Sequence, residues 1–139
     1  MSPTDNIRHI LRTCRTVAVV GLSPKPHRDS YEVAHYMQTQ GWRIIPVNPV
    51  AASSGELILG EKVYATLLEA AQHETIDLVD VFRNSADVPP VAAQAIAIGA
   101  QALWLQLGIE NAPAAAAAQA AGLRVVQNKC LLVEHRNQP

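Results

Sequence analysis

Five short runs of apolar, largely β-branched residues alternate along this chain with segments patterned as helices. No other feature limits its possible folds so strongly. The runs are VAVVG (17–21), WRIIPV (42–47), IDLVDVF (76–82), ALWLQL (102–107) and LRVVQ (123–127). Each is too short and too β-branched to be a helix of its own. Strands separated by helices are joined by crossovers, so they are expected to run parallel. Runs that are apolar almost throughout suit strands covered on both faces. Right-handed crossovers then leave few topologies. The expected fold class is α/β: a Rossmann-like, three-layer arrangement of a five-stranded parallel sheet, order 3-2-1-4-5, with helices on both faces.

The intervening segments supply the helices. Residues 1–15 lead the chain, with a helix from Asp5 to Arg15 that places Ile7, Ile10 and Leu11 on one face. Asp29 reads as an N-cap with Glu32 three residues later, a capping-box pattern, and Gly41 reads as the stop of that helix. AASSGELILG reads as a loop, followed by a helix over about 65–72 and another from Ser85 or Asp87 to about Gly99. The alanine-rich stretch Ala112–Ala121 is expected to be a packed helix rather than low complexity, since alanine favours helix and its small side chain permits close approach to a sheet. A last short helix is expected from Cys130 to Arg136. At 139 residues, 49% hydrophobic and only 17% charged, the chain is expected to form one folded domain over 1–139.

Several function classes are disfavoured. A formal charge of -1 does not provide the broad basic surface of a nucleic-acid binder. Cys14 and Cys130 form neither a disulfide framework nor a zinc spacing. The first residues lack the apolar core of a signal peptide, and no run approaches the roughly 20 apolar residues of a membrane span. The expectation is a soluble, cytoplasmic protein without nucleic-acid or membrane partners and with reduced thiols.

In a doubly wound sheet, ligands bind beyond the carboxyl ends of the strands near the point where strand order reverses. The first strand opens there into GLSPKPHRDS, residues 21–30. Gly21 permits close backbone approach, Ser23 carries a hydroxyl, and Lys25 and Arg28 carry charge. Pro24 and Pro26 restrict the loop, so less entropy is lost when a ligand orders it. The loop leads into a helix N-terminus, whose free N–H groups and dipole favour anions. This combination points to phosphate. A G-x-G-x-x-G fingerprint is absent, no carboxylate follows the second strand in Pro46-Val47-Asn48-Pro49, and there is no G-x-x-x-x-G-K-[ST] loop. Ordinary NAD sites and P-loop nucleotide hydrolysis are therefore not indicated.

Together, VAVVGLSPKPHRDSYEVAHYMQTQGWRIIPVNP, IDLVDVFRNSADVP and AAGLRVVQNKCLLVEHR resemble the small bacterial CoA-binding proteins. Those are similar to the CoA-binding domain of the succinyl-CoA synthetase alpha subunit. The likeness runs from Arg15 to Arg136. It implies coenzyme A, free or acylated, as the ligand. Carried across, Gly21, Leu22, Ser23, Lys25, Arg28 and Ser30 would surround the phosphates. Asn48 and Pro49 would wall the nucleoside, and Phe82 and Arg83 would close the adenine side. The synthetase's phosphorylated-histidine domain and its beta subunit have no counterpart in these residues, so ligase activity is not implied.

No catalytic constellation or metal site is expected. His27 is a weaker phosphate candidate than its neighbours. His9, His35 and His73 read as helix-surface residues. Adjacent Glu134 and His135 face different ways, Asp80 lies within a strand, and Cys130 stands near a helix start on the ligand edge. Two rival readings remain: an enzyme, either an NADP-type oxidoreductase or a subunit of a CoA-transferring complex, and an interaction protein whose cofactor site has decayed.

Overall fold

Each apolar run forms a strand. The computed structural model describes residues 2–138, with β1 at Thr16–Val20, β2 at Arg43–Val47, β3 at Leu78–Val81, β4 at Ala102–Leu105 and β5 at Arg124–Val126. All four neighbouring pairs are parallel, and the sheet order is β2-β1-β3-β4-β5. The expected α/β class, parallel sheet and two helical layers are therefore present.

The detailed order 3-2-1-4-5 needs correction, because β3 lies beside β1 rather than outside β2. The position outside β2 holds only a one-residue parallel bridge between Val47 and Tyr64. Tyr64 N donates to Pro46 O at 3.0 Å, and Asn48 N donates to Tyr64 O at 2.9 Å. Between β2 and this bridge the chain forms one short helix, α3 at Pro49–Ser54, and a second, at Leu67–Ala71, follows before β3. The chain then crosses to the other side of β1. The reversal point still falls next to β1, the feature on which the site depends.

The helices α1 (Pro3–Thr13), α2 (Asp29–Thr39) and α7 (Leu131–Arg136) cover one face, where Ile10, Met37 and Leu131 meet Val17, Val19, Leu78 and Trp104. On the other face lie α4 (Leu67–Ala71), α5 (Val88–Ala97) and α6 (Ala112–Ala120). Their Leu67, Ala92, Ala95 and Ala118 pack with Ala18, Val20, Val79, Val81 and Leu105. Successive strand residues thus enter opposite cores, as the pleat requires. Ala114, Ala115 and Ala118 are buried, so the alanine-rich segment is a packed helix.

Two local expectations differ. AASSGELILG is not entirely loop: Asn48 Oδ1 accepts from Val50 N and Ala51 N, capping α3. At α2 the N-cap is Arg28, without a side-chain cap bond, and Asp29 is already helical. The capping box appears instead on α1, between Ser2 and Asp5.

Candidate functional site

The loop from β1 to α2 is built around Gly21 and two serines. Gly21 has φ +91°, and a Cβ there would lie 2.3 Å from the Phe82 carbonyl oxygen. Only glycine lets the end of β1 pass so close to the end of β3. Gly21 N donates to Val47 O at 2.9 Å, tying the turn to β2 as well. Ser30, buried in the first turn of α2, accepts from Ser23 N at 3.0 Å. Ser23 Oγ in turn accepts from Lys25 N at 3.1 Å. These bonds fix the loop and leave both hydroxyl hydrogens available to a ligand.

The loop encloses an open cleft of about 540 Å³, lined by Gly21, Ser23, Lys25, His27, Arg28, Asp29, Ser30 and Phe82. Lys25, His27, Arg28 and Asp29 are exposed. The N-terminus of α2 contributes to this cleft without a side-chain cap. Ser2, Asn48, Thr66 and Asn111 cap α1, α3, α4 and α6, whereas α5 and α7 also start without a side-chain cap. An uncapped 11-residue helix beside Lys25 and Arg28 favours an anion. The Asp29 carboxylate opposes this at the rim, but two cationic side chains stand against it.

Beside an open cavity of about 440 Å³ lined by Phe82, Arg83, Asn84, Ser85, Gly108 and Ile109, two more lie along this edge. The first, about 220 Å³, has Val20, Val47, Pro49, Leu67 and Val91 in its wall, with Arg83 and Asp87 as its charged groups. The second, about 340 Å³, lies among α2, the end of β4 and α7, and shares Asp29 and Phe82 with the cleft. The carboxyl edge thus offers an apolar cavity, a cationic cleft and another apolar chamber.

The ten expected binding residues do not all face this edge. Gly21, Ser23, Lys25, Arg28, Ser30 and Phe82 line the cleft, whereas Pro49 and Arg83 line the first flanking cavity. Leu22 departs from expectation: its side chain is fully buried in the core, and its carbonyl accepts from Asn48 Nδ2 at 2.9 Å. Asn48 also departs, because its amide is occupied in capping α3 and joining the ends of β1 and β2. Both positions shape the site from behind. Asp87, which sequence reading left aside, brings a carboxylate to the first flanking cavity; the search after strand two missed it because it enters from the turn after β3. His27 does line the cleft.

The other titratable candidates lie apart from this cleft. Among the described residues no group of three metal-ligating side chains is present. His135 Nδ1 and Tyr36 Oη lie 2.8 Å apart, joining α7 to α2; burial, with a smaller contribution from Arg15, lowers its pKa. His73 stacks on Tyr64. Both cysteines are free; Cys14 is buried, and burial pushes its thiol up to about 11. Asp80 is wholly buried: Gln106 Nε2 donates to its Oδ1 at 2.6 Å, while Oδ2 has no partner. Burial raises its carboxyl to about 7 despite the opposing hydrogen bond.

A parallel, doubly wound sheet whose order reverses beside β1 defines a Rossmann-like α/β domain. Comparison with known sequences is more specific: the profile described as "CoA binding domain" matches residues 15–136. The chain belongs to this CoA-binding domain family. It is 37% identical over 129 residues to the uncharacterized protein YneT of Bacillus subtilis, covering 93% of this chain and 91% of that one. A solved structure from Thermus thermophilus, cell-free ID.343, superposes with a TM-score of 0.88 at 34% identity, covering 98% of both chains. A hypothetical protein from Pyrococcus horikoshii OT3 gives a TM-score of 0.87 at 35% identity, covering 98% of this chain and 91% of that one. Among the described residues no helix is long and apolar enough to cross a membrane.

Proposed function

We propose that this protein is a coenzyme A binder whose cleft takes the diphosphate over the first turn of α2. The observation that carries this reading is the uncapped α2 N-terminus beside Ser23, Lys25 and Arg28. The adenosine end lies in the cavity walled by Val20, Val47 and Pro49, with Arg83 near its 3′-phosphate. The pantetheine arm leaves the cleft past Phe82. Such a protein holds, carries or presents the cofactor without requiring a catalytic side chain. Family membership supports this choice of ligand over other phosphorylated compounds.

Isothermal titration with CoA, dephospho-CoA and NAD tests the reading. CoA is expected to bind most tightly, with dephospho-CoA weaker because it lacks the group assigned to Arg83. Tighter binding of NAD than of CoA overturns it.

One observation favours a second reading. Asp87 lines the nucleoside cavity, and a carboxylate there suits the ribose hydroxyls of NAD. Asp87→Asn separates the two. It strengthens CoA binding if a 3′-phosphate lies near Asp87, because a like charge is removed. It weakens NAD binding if the carboxylate accepts a ribose hydroxyl.

A further inference from the structure

We propose that the preferred ligand is a CoA thioester with an uncharged aliphatic acyl group, housed in the chamber among α2, β4 and α7. This inference rests on the CoA reading above and specifies what the cofactor carries. The chamber meets the phosphate cleft at Asp29 and Phe82, so a ligand held in one can extend directly into the other. Its wall is largely aliphatic, with Val33, Ile109, Leu132 and Val133 presented to a space of about 340 Å³.

Its one deeply buried polar side chain is Gln106, only 3% exposed. That amide is held by a built arrangement. Nε2 donates to Asp80 Oδ1 at 2.6 Å, and Oε1 accepts from Leu131 N at 3.4 Å. An amide nitrogen carries two hydrogens; the second has no partner among the described residues. The inner chamber therefore offers N–H donors within an apolar wall: this amide, and the backbone N–H groups of Leu132 and Val133 at the uncapped start of α7, which also have no hydrogen bond among the described residues.

That inventory discriminates between parts of the ligand. A pantetheine arm contains two amides, each with a donor and an acceptor to satisfy. Burying them against donors alone would leave their own N–H groups without an acceptor among the inner side chains, at roughly 1–3 kcal/mol apiece. The amides therefore remain at the rim, where exposed Asp29 and Glu32 can accept their N–H groups. What enters is the sulfur with its acyl group: one carbonyl for Gln106 and a hydrocarbon tail for the wall. The same two rim carboxylates disfavour an acyl group ending in its own carboxylate.

The test is calorimetric titration of the unmodified protein with CoA, butyryl-CoA and succinyl-CoA, followed by the same series on Val133→Trp. Butyryl-CoA is expected to bind about tenfold or more tighter than CoA, the scale set by burying a few methylene and methyl groups. Succinyl-CoA is expected to gain little or nothing over CoA. Filling the chamber in Val133→Trp, at a half-buried position, should bring the butyryl-to-CoA affinity ratio close to one. Equal binding of CoA and butyryl-CoA to the unmodified protein overturns this inference while leaving the CoA reading intact. So does a ratio unchanged in the variant. Absence of CoA binding at millimolar concentration defeats the underlying reading itself.

Discussion

Replacing Asp80 with asparagine should make the protein more stable at neutral pH and hardly change it in acid. Asp80 sits among buried side chains, receives one hydrogen bond from Gln106 and has Oδ2 unpartnered. Burial raises its carboxyl from 3.8 to about 7 in the folded protein. Because the folded pKa is raised, the folded state retains the proton more strongly. Its stabilising contribution is complete below the unfolded pKa and is lost as pH rises toward the folded value. Three pH units correspond to about 4 kcal/mol, nearly all of it lost between pH 4 and pH 8. Asparagine keeps an acceptor for Gln106 Nε2 and cannot ionise. The variant should thus gain roughly 4 kcal/mol over the wild type on going from pH 4 to pH 8. Urea unfolding of both proteins at pH 4, 6 and 8 measures that difference. A stability gap independent of pH would refute the claim that Asp80 titrates under a burial penalty.

Gly21→Ala should destabilise the fold by more than about 2 kcal/mol, since a side chain at positive φ adds strain to a collision with the Phe82 carbonyl; thermal melting reads it, and an unchanged midpoint contradicts the close-approach argument. Lys25→Ala and Arg28→Ala should each weaken CoA binding roughly tenfold at low salt, and less in high salt, because both cations are exposed. Titration at two ionic strengths checks this, and full affinity in the double variant removes these residues from the site. With iodoacetamide at pH 8, half-buried Cys130 should label before buried Cys14, whose thiol is pushed up to about 11. Peptide mapping distinguishes them, and early modification of Cys14 contradicts its placement.

The sheet was legible in sequence because each strand is a compact β-branched run, and because the helices between them carry apolar residues at helical spacing. Their order was less so. Whether β3 joins β1 or an outer edge depends on what the connection after β2 becomes, and two short helices with isolated bridges leave little periodic signal. The composition of AASSGELILG suggested loop because serine and glycine favour turns, yet the Asn48 cap starts a helix there. In the site, the clustered chemistry of residues 21–30 was visible locally. Leu22 and Asn48 brace the strand ends from behind, and only three-dimensional contacts separate support from lining there. Gln106, Asp87 and the aliphatic chamber come together from distant segments that no local motif joins.

The central claim is that α2 begins where the cofactor's phosphates bind, and crystals soaked with CoA test it most directly. Diphosphate density is expected over Asp29, Ser30 and Tyr31, with Ser23, Lys25 and Arg28 in contact. An ordered CoA whose phosphates lie elsewhere, leaving those side chains in solvent, would contradict the account.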